Sequence, residues 1–210
     1  MTTAPRALQL KITLKNVKPA IWRRVLVSEV TTLAELHMIL QVAMGWENYH
    51  LHAFTIHGQR FGLPDPDDFV PVVDERKHRI GALVHKGNKL EYEYDFGDGW
   101  EHTVLVEAVR EPIAGETMPS CLDGKRACPP EDCGGAWGYA DLLDALADPK
   151  SERHDELREW VGGEYDAERF ELAEVNEALA ELVRPRRRAA RPKGKQQKMP
   201  KSSHSKSTLH

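Results

Sequence analysis

The chain has 210 residues, 40% hydrophobic and 30% charged, which is enough for one sizeable core or two small ones. No apolar run approaches the ~20 residues of a membrane helix, and Met1-Thr2-Thr3-Ala4-Pro5-Arg6 has no signal-peptide apolar region; a cytoplasmic protein with no membrane contact is expected. Three cysteines, an odd number, argue against a disulfide framework and fit a reducing compartment.

Leu8 to Val17 alternates: Leu8, Leu10, Ile12 and Leu14 face one way, and Gln9, Lys11, Thr13 and Lys15 the other. That is the pattern of a half-buried strand. Lys18-Pro19-Ala20 turns the chain into a second strand, Ile21 to Val27, antiparallel to the first. Thr32-Leu33-Ala34-Glu35 is a capping box, Leu33, Leu36, Leu40 and Ala43 share a helical face, and Gly45 ends the helix. Leu51 to Ile56 predicts a third strand. Residues 63–79, rich in Pro and Asp, predict a long loop, with a short helix near Ile80 to Val84.

The most structured stretch follows. Tyr92, Tyr94 and Phe96 alternate with Glu93 and Asp95, Gly97-Asp98-Gly99 turns the chain, and Thr103 to Val109 leads out. This predicts a β-hairpin with the three aromatics on one face and a turn in the left-handed region at its glycines. Asp95-Phe96-Gly97 spells the magnesium-binding triplet of kinases, but the glycine-rich loop, strand lysine and catalytic loop that must accompany it are missing. Asp95, Asp98, Glu101 and His102 form a candidate polar cluster around the turn, suited to a divalent metal or a substrate. The plainer alternative is a solvated tip whose acids cap the turn. His50 and His52, at i and i+2 of the predicted third strand, share a face and extend the same cluster; two hydrogen-bonded histidines at a strand start are the alternative.

Cys121, Cys128 and Cys133 lie within thirteen residues. Three thiols invite a zinc reading, with an imidazole of His50, His52 or His102 as fourth ligand. The spacing contains no Cys-x-x-Cys, so thiols packed as small hydrophobes compete with that reading; no cofactor is expected, with zinc as the alternative. Cys128 and Cys133 precede a predicted helix, which favours a nucleophilic thiolate, but Glu131 and Asp132 oppose one. The same acids would repel a phosphate at Gly134-Gly135. Three helices follow, marked by Tyr139, Leu142, Leu143 and Leu146, then Leu157, Trp160 and Val161, then Phe170, Val175, Leu179 and Leu182. The class is α+β: antiparallel strands and one helix in the N-terminal part, helices in the C-terminal part, one domain over residues 1–183.

Residues 184–210 hold ten of the 29 Lys and Arg and no Asp or Glu, which leaves 19 basic against 33 acidic side chains in residues 1–183. This segment, with Arg184, Arg186, Arg187, Arg188, Arg191, Lys193, Lys195 and Lys198, has almost nothing to bury and is expected to be a disordered tail. Its charge suits nucleic-acid phosphates; a solubilising tail, or one attracted to the acidic body, is the alternative.

Several motifs together resemble one family. They are Ile21-Trp22-Arg23-Arg24, Gly45-Trp46 through His50-Leu51-His52, Tyr92-x-Tyr94-Asp95-Phe96-Gly97-Asp98-x-Trp100-x-His102, and Cys128-Pro129-Pro130-Glu131-Asp132-x-Gly134-Gly135 with Gly138-Tyr139. The combination, over about residues 6 to 182, is similar to the plasmid pRiA Orf-three-like family, some members of which carry insertion-element passenger or TnpR-like labels. The resemblance implies a mixed α+β domain in plasmid and mobile-element settings and no established activity. A resolvase role finds no support in the residues: Ser28 has no wider arginine cluster, and Tyr165 stands among acids. Two functions follow as expectations. The first is a non-catalytic binding or accessory protein, with an unknown protein partner and a nucleic-acid-contacting tail. The second is a metal-dependent enzyme, a hydrolase, drawing on Asp95, Asp98 and His102 with His50, His52 or the cysteines.

Overall fold

A computed structural model describes residues 4–65 and 71–184. Residues 66–70 of the expected loop and all of the basic tail after Arg184 lie outside the described residues. The described residues form a mixed α and β fold around one eight-stranded sheet. The strands are β1 (Ala7–Leu14), β2 (Trp22–Ser28), β3 (His52–Ile56), β4 (Gln59–Gly62), β5 (Val73–Asp74), β6 (Lys89–Tyr94), β7 (Trp100–Arg110) and β8 (Ser120–Lys125). The helices are α1 (Leu33–Met44), α2 (Gly135–Ala147), α3 (His154–Trp160) and α4 (Leu172–Leu182). The spatial order is β5-β4-β3-β6-β7-β1-β2-β8, antiparallel except where β4 meets β5.

The alternation of β1 does what its period requires. Leu8, Leu10, Ile12 and Leu14 enter the core, while Gln9, Lys11 and Thr13 stay partly exposed. β1 pairs antiparallel with β2 on one side and β7 on the other. α1 begins on the capping box: Thr32 accepts from the Glu35 backbone N–H, and the Glu35 carboxylate accepts from the Thr32 N–H. It ends on Gly45, at φ 105°. Leu33, Leu36, Ile39, Leu40 and Ala43 bury one face of α1 in the core shared with the sheet. At full burial each such side chain contributes roughly 1.5–3 kcal/mol relative to exposure.

α4 packs against α1 and β8. The outer edge of β8 is closed by Asn176, whose side chain donates to the Cys121 carbonyl and accepts from the Cys121 N–H, as a paired strand would. Arg23, on β2, is buried without a carboxylate partner among the described residues. It donates to the carbonyls of Ala43, Trp22 and Lys125 and lies over the Phe170 ring. The Ala43 carbonyl belongs to the last turn of α1, where the helix dipole favours a cation.

Three sequence expectations change here. β4 and β8 are strands in stretches for which the sequence predicts no element, and β5 with a short 3-10 turn over Glu75–Lys77 sits inside the expected long loop. Phe96 does not join Tyr92 and Tyr94. β6 stops at Tyr94, Asp95 takes φ 55°, and Phe96 turns outward while both tyrosines are buried. At the turn itself Gly99 is left-handed (φ 66°) and Gly97 is not; Asp95 takes the other left-handed position.

Candidate functional site

Asp95 ends the incoming strand and shapes the turn after it. Its Oδ1 accepts from the Gly97 and Asp98 N–H groups, and its backbone carbonyl accepts from Gly99. These bonds make an Asx turn that holds Asp95 left-handed, a conformation aspartate tolerates better than most residues. Oδ1 is committed to the turn, so Oδ2 is the oxygen free to face outward. Asp95 is only 6% exposed, so it is not the solvated turn cap that its position suggests.

What Oδ2 faces is His50, whose Nε2 lies 3.6 Å away. The same Nε2 lies 3.1 Å from Asp132 Oδ1 and 3.9 Å from Glu131 Oε2. Among the described residues, His50, Asp95 and Asp132 are the one group of metal-ligating side chains with donor atoms within 4.8 Å of one another. None of these contacts is aligned as a hydrogen bond: His50 Nε2 and Glu131 Oε2 are buried atoms without a hydrogen-bond partner among the described residues. Buried polar atoms usually have a hydrogen-bond partner, so these two are the exceptions in this cluster.

The loops carrying these groups are stapled together. Trp46 Nε1 donates to the Pro129 carbonyl. Glu131 Oε1 accepts from the Glu47 N–H and from the Tyr94 hydroxyl, and that hydroxyl accepts from the Tyr49 N–H. Tyr49 in turn bonds the Glu47 carboxylate. Burial and the adjacent Glu131 carboxylate push the Tyr94 phenol well up, so it stays a neutral donor. The Leu51 carbonyl accepts from the Asp95 N–H and ties the His50 loop to the hairpin. Beneath Asp132, Asp98 Oδ2 accepts from the Gly134 N–H and docks the hairpin tip on the start of α2. The glycines there are forced. A Cβ on Gly138 would meet the Cys133 carbonyl at 1.9 Å, and one on Gly135 (φ 67°) would meet the Asp98 carbonyl at 2.4 Å. Asp132 itself takes φ 55°.

The other expected site residues go elsewhere. His50 precedes β3, so it does not share a strand face with His52. His52 Nε2 meets Glu75 Oε2 at 2.9 Å in the interior, and its ring stacks flat on His37 with centroids 3.4 Å apart. His37 also bonds Tyr92 and Asn48, and burial, then neighbouring His52, pulls its pKa down to about 4. His102 is fully buried against Trp46 and Tyr92. Its Nδ1 faces the Tyr92 carbonyl, an acceptor, so that nitrogen carries the proton. Glu101 is on the surface, paired with Lys15 at 3.0 Å. The three thiols are free and do not gather into a ligand set among the described residues. Cys121 is buried in β8, and burial pushes the Cys128 thiol well up and that of Cys133 to about 12, the reverse of an activated nucleophile. Glu131 and Asp132 are the members that sequence reading passed over. Their one signal is position: two acids between Cys128 and Cys133, shortly before Gly134-Gly135.

Comparison with known proteins agrees with the motifs. A solved structure, the protein of unknown function MM3350 from Methanosarcina mazei Go1, superposes with a TM-score of 0.76 at 35% identity, over 81% of this chain and 98% of that one. The uncharacterized protein y4hQ of Sinorhizobium fredii (strain NBRC 101917 / NGR234) is 42% identical over 188 residues, 88% of this chain and 96% of the relative. The family model described as plasmid pRiA4b ORF-3-like protein matches residues 6–174, and the chain belongs to that family.

Proposed function

We propose that this chain is a divalent-cation-dependent hydrolase whose centre is His50, Asp95 and Asp132, with Glu131 beside it. The observation that carries the reading is the convergence of one imidazole nitrogen and three carboxylates at 3.1–3.9 Å, with His50 Nε2 and Glu131 Oε2 left unbonded. One nitrogen with several carboxylate oxygens suits a first-row cation such as Mn²⁺ or Zn²⁺ better than a thiolate-type structural zinc. Such a cation supplies Lewis acidity and lowers the pKa of a water it binds. Asp132 is well exposed and His50 partly so, which leaves the outer side open to water and substrate. Glu131 Oε2 is placed to accept a proton on the inner side.

Titration calorimetry of the metal-free protein with Mn²⁺, Zn²⁺ and Mg²⁺ tests this. One site per chain is expected, with at least about tenfold weaker binding in His50→Ala and Asp95→Asn, since each removes a ligand or its charge. The amide that replaces the carboxylate in Asp95→Asn keeps an oxygen for the Gly97 and Asp98 N–H groups, so that variant retains its turn. No saturable binding of any of the three cations by the wild type would sink the reading.

A second reading concerns the tail. Ten basic residues and no acid over residues 184–210 support sequence-independent contact with nucleic-acid phosphates, in keeping with an accessory role in plasmid or mobile-element settings.

A further inference from the structure

Asp132 belongs to two places at once. One side of it faces His50; the other lines a cavity of about 240 Å³ between α2 and α3. Leu142 and Leu157, both buried, and half-exposed Trp160 give this cavity a narrow apolar wall in an otherwise mostly polar lining. Around that wall stand one cation, Arg153, and two further carboxylates, Asp141 and Glu156. Among the described residues none of these three side chains is in an ion pair, although all border the same small space.

Charges of both signs held apart around an apolar wall complement a ligand that carries both signs itself. A purely anionic ligand would meet two extra carboxylates, and a purely cationic one would meet Arg153. The volume limits the ligand to a few side chains. We infer that the cavity takes a small zwitterion of dipeptide size, with its carboxylate at Arg153, its ammonium at Asp141 and Glu156, and its apolar side chain on Leu142, Leu157 and Trp160. This rests on the hydrolase reading for its chemistry, because Asp132 both lines the pocket and faces His50. In that setting the reaction is hydrolysis: water adds to the amide carbonyl carbon, the C–N bond breaks, and the nitrogen leaves carrying a proton as the new amine.

Calorimetry on the full chain separates the pocket from the cation site. Metal-free protein is titrated with leucylglycine, with N-acetyl-leucylglycine and with leucylglycinamide, and each titration is repeated with Mn²⁺. The free dipeptide is expected to bind, and capping either end to weaken binding about tenfold or more, since a charged partner is left unmatched. Arg153→Gln should bring leucylglycine down to the level of its amide without further loss for the amide itself. The double variant Asp141→Asn with Glu156→Gln should do the same for the acetylated ligand. These side chains border solvent, and thermal melts confirm that the variants fold. His50→Ala should weaken cation binding about tenfold or more while the metal-free protein keeps its preference for the uncapped dipeptide, so failure of the cation centre and failure of the pocket give different results. Equal affinity for all three ligands, loss on capping one end only, or no binding with or without Mn²⁺ would each overturn the proposal.

Discussion

At the scale of single residues, the histidines divide by what surrounds them. His102 has no access to water and one bonded nitrogen, and burial pulls its pKa down to about 4 against an ordinary 6.5. His37, stacked on His52, is lowered to the same range. A base whose folded pKa lies below its unfolded value stabilises the fold fully above about pH 6.5, and progressively less as pH falls toward 4. For His102 that gap in proton affinity is worth on the order of 3 kcal/mol. Urea melts at pH 7 and pH 4.5 should therefore show a marked loss of stability on acidification. His102→Phe, which cannot take up a proton, should flatten that dependence; an unchanged slope would mean that other groups carry it. Neither neutral interior histidine could be told from a ligand in the sequence. His50 and His52 look alike on either side of Leu51, yet one faces three carboxylates and the other a single buried Glu75. The difference lies in partners 23 to 82 positions away, which no local pattern encodes.

At the scale of elements, local chemistry was legible wherever it was decided locally. The capping box of α1 and its Gly45 stop are made by neighbours in sequence, and both are present. β1 and β2 followed from alternation and a short connection. β8 did not, because Ser120-Cys121-Leu122-Asp123-Gly124-Lys125 has neither β-branched residues nor a regular period. It is a strand because β2 on one side and Asn176 on the other satisfy its backbone. The hairpin tip was legible as a turn but not in its details: glycine was the natural guess for every left-handed position, and Asp95 took one through its own side-chain bonds. Gly99 remains a real requirement. Gly99→Val should cost about 1 kcal/mol or more, since a β-branched residue resists φ 66°. Gly138→Ala acts on the site rather than the strand pair. Its methyl group cannot coexist with the Cys133 carbonyl at 1.9 Å, so the 131–134 turn must move. Cation affinity should then fall at least as far as in His50→Ala while the sheet still melts cooperatively; wild-type affinity in this variant would show that Asp132 is not held by the glycine turn.

At the scale of the whole molecule, charge separates the chain into unlike parts. Residues 1–183 carry 33 acidic and 19 basic side chains, and residues 184–210 carry ten basic and none acidic. The cation centre concentrates the negative side further, with Glu47, Asp95, Asp98, Glu131 and Asp132 all joined to the same bonded loops. Phosphates are repelled by that body and attracted by the tail, so nucleic-acid affinity, if electrostatic, must reside in the last 27 residues. Each phosphate neutralised releases a counterion and adds about −0.9 to the slope of log affinity against log salt on duplex DNA. A chain ending at Val183 retains α4, which closes β8 through Asn176, and should melt like the full chain. It should also lose binding to a mixed-sequence duplex that the full chain holds at low salt and releases at physiological salt. Fluorescence anisotropy on both chains decides the matter. Equal binding by the shortened chain would move the nucleic-acid site into the folded body, against its charge. No binding by the full chain at low salt would remove nucleic acid from the account and leave the cation centre as the chemistry to pursue.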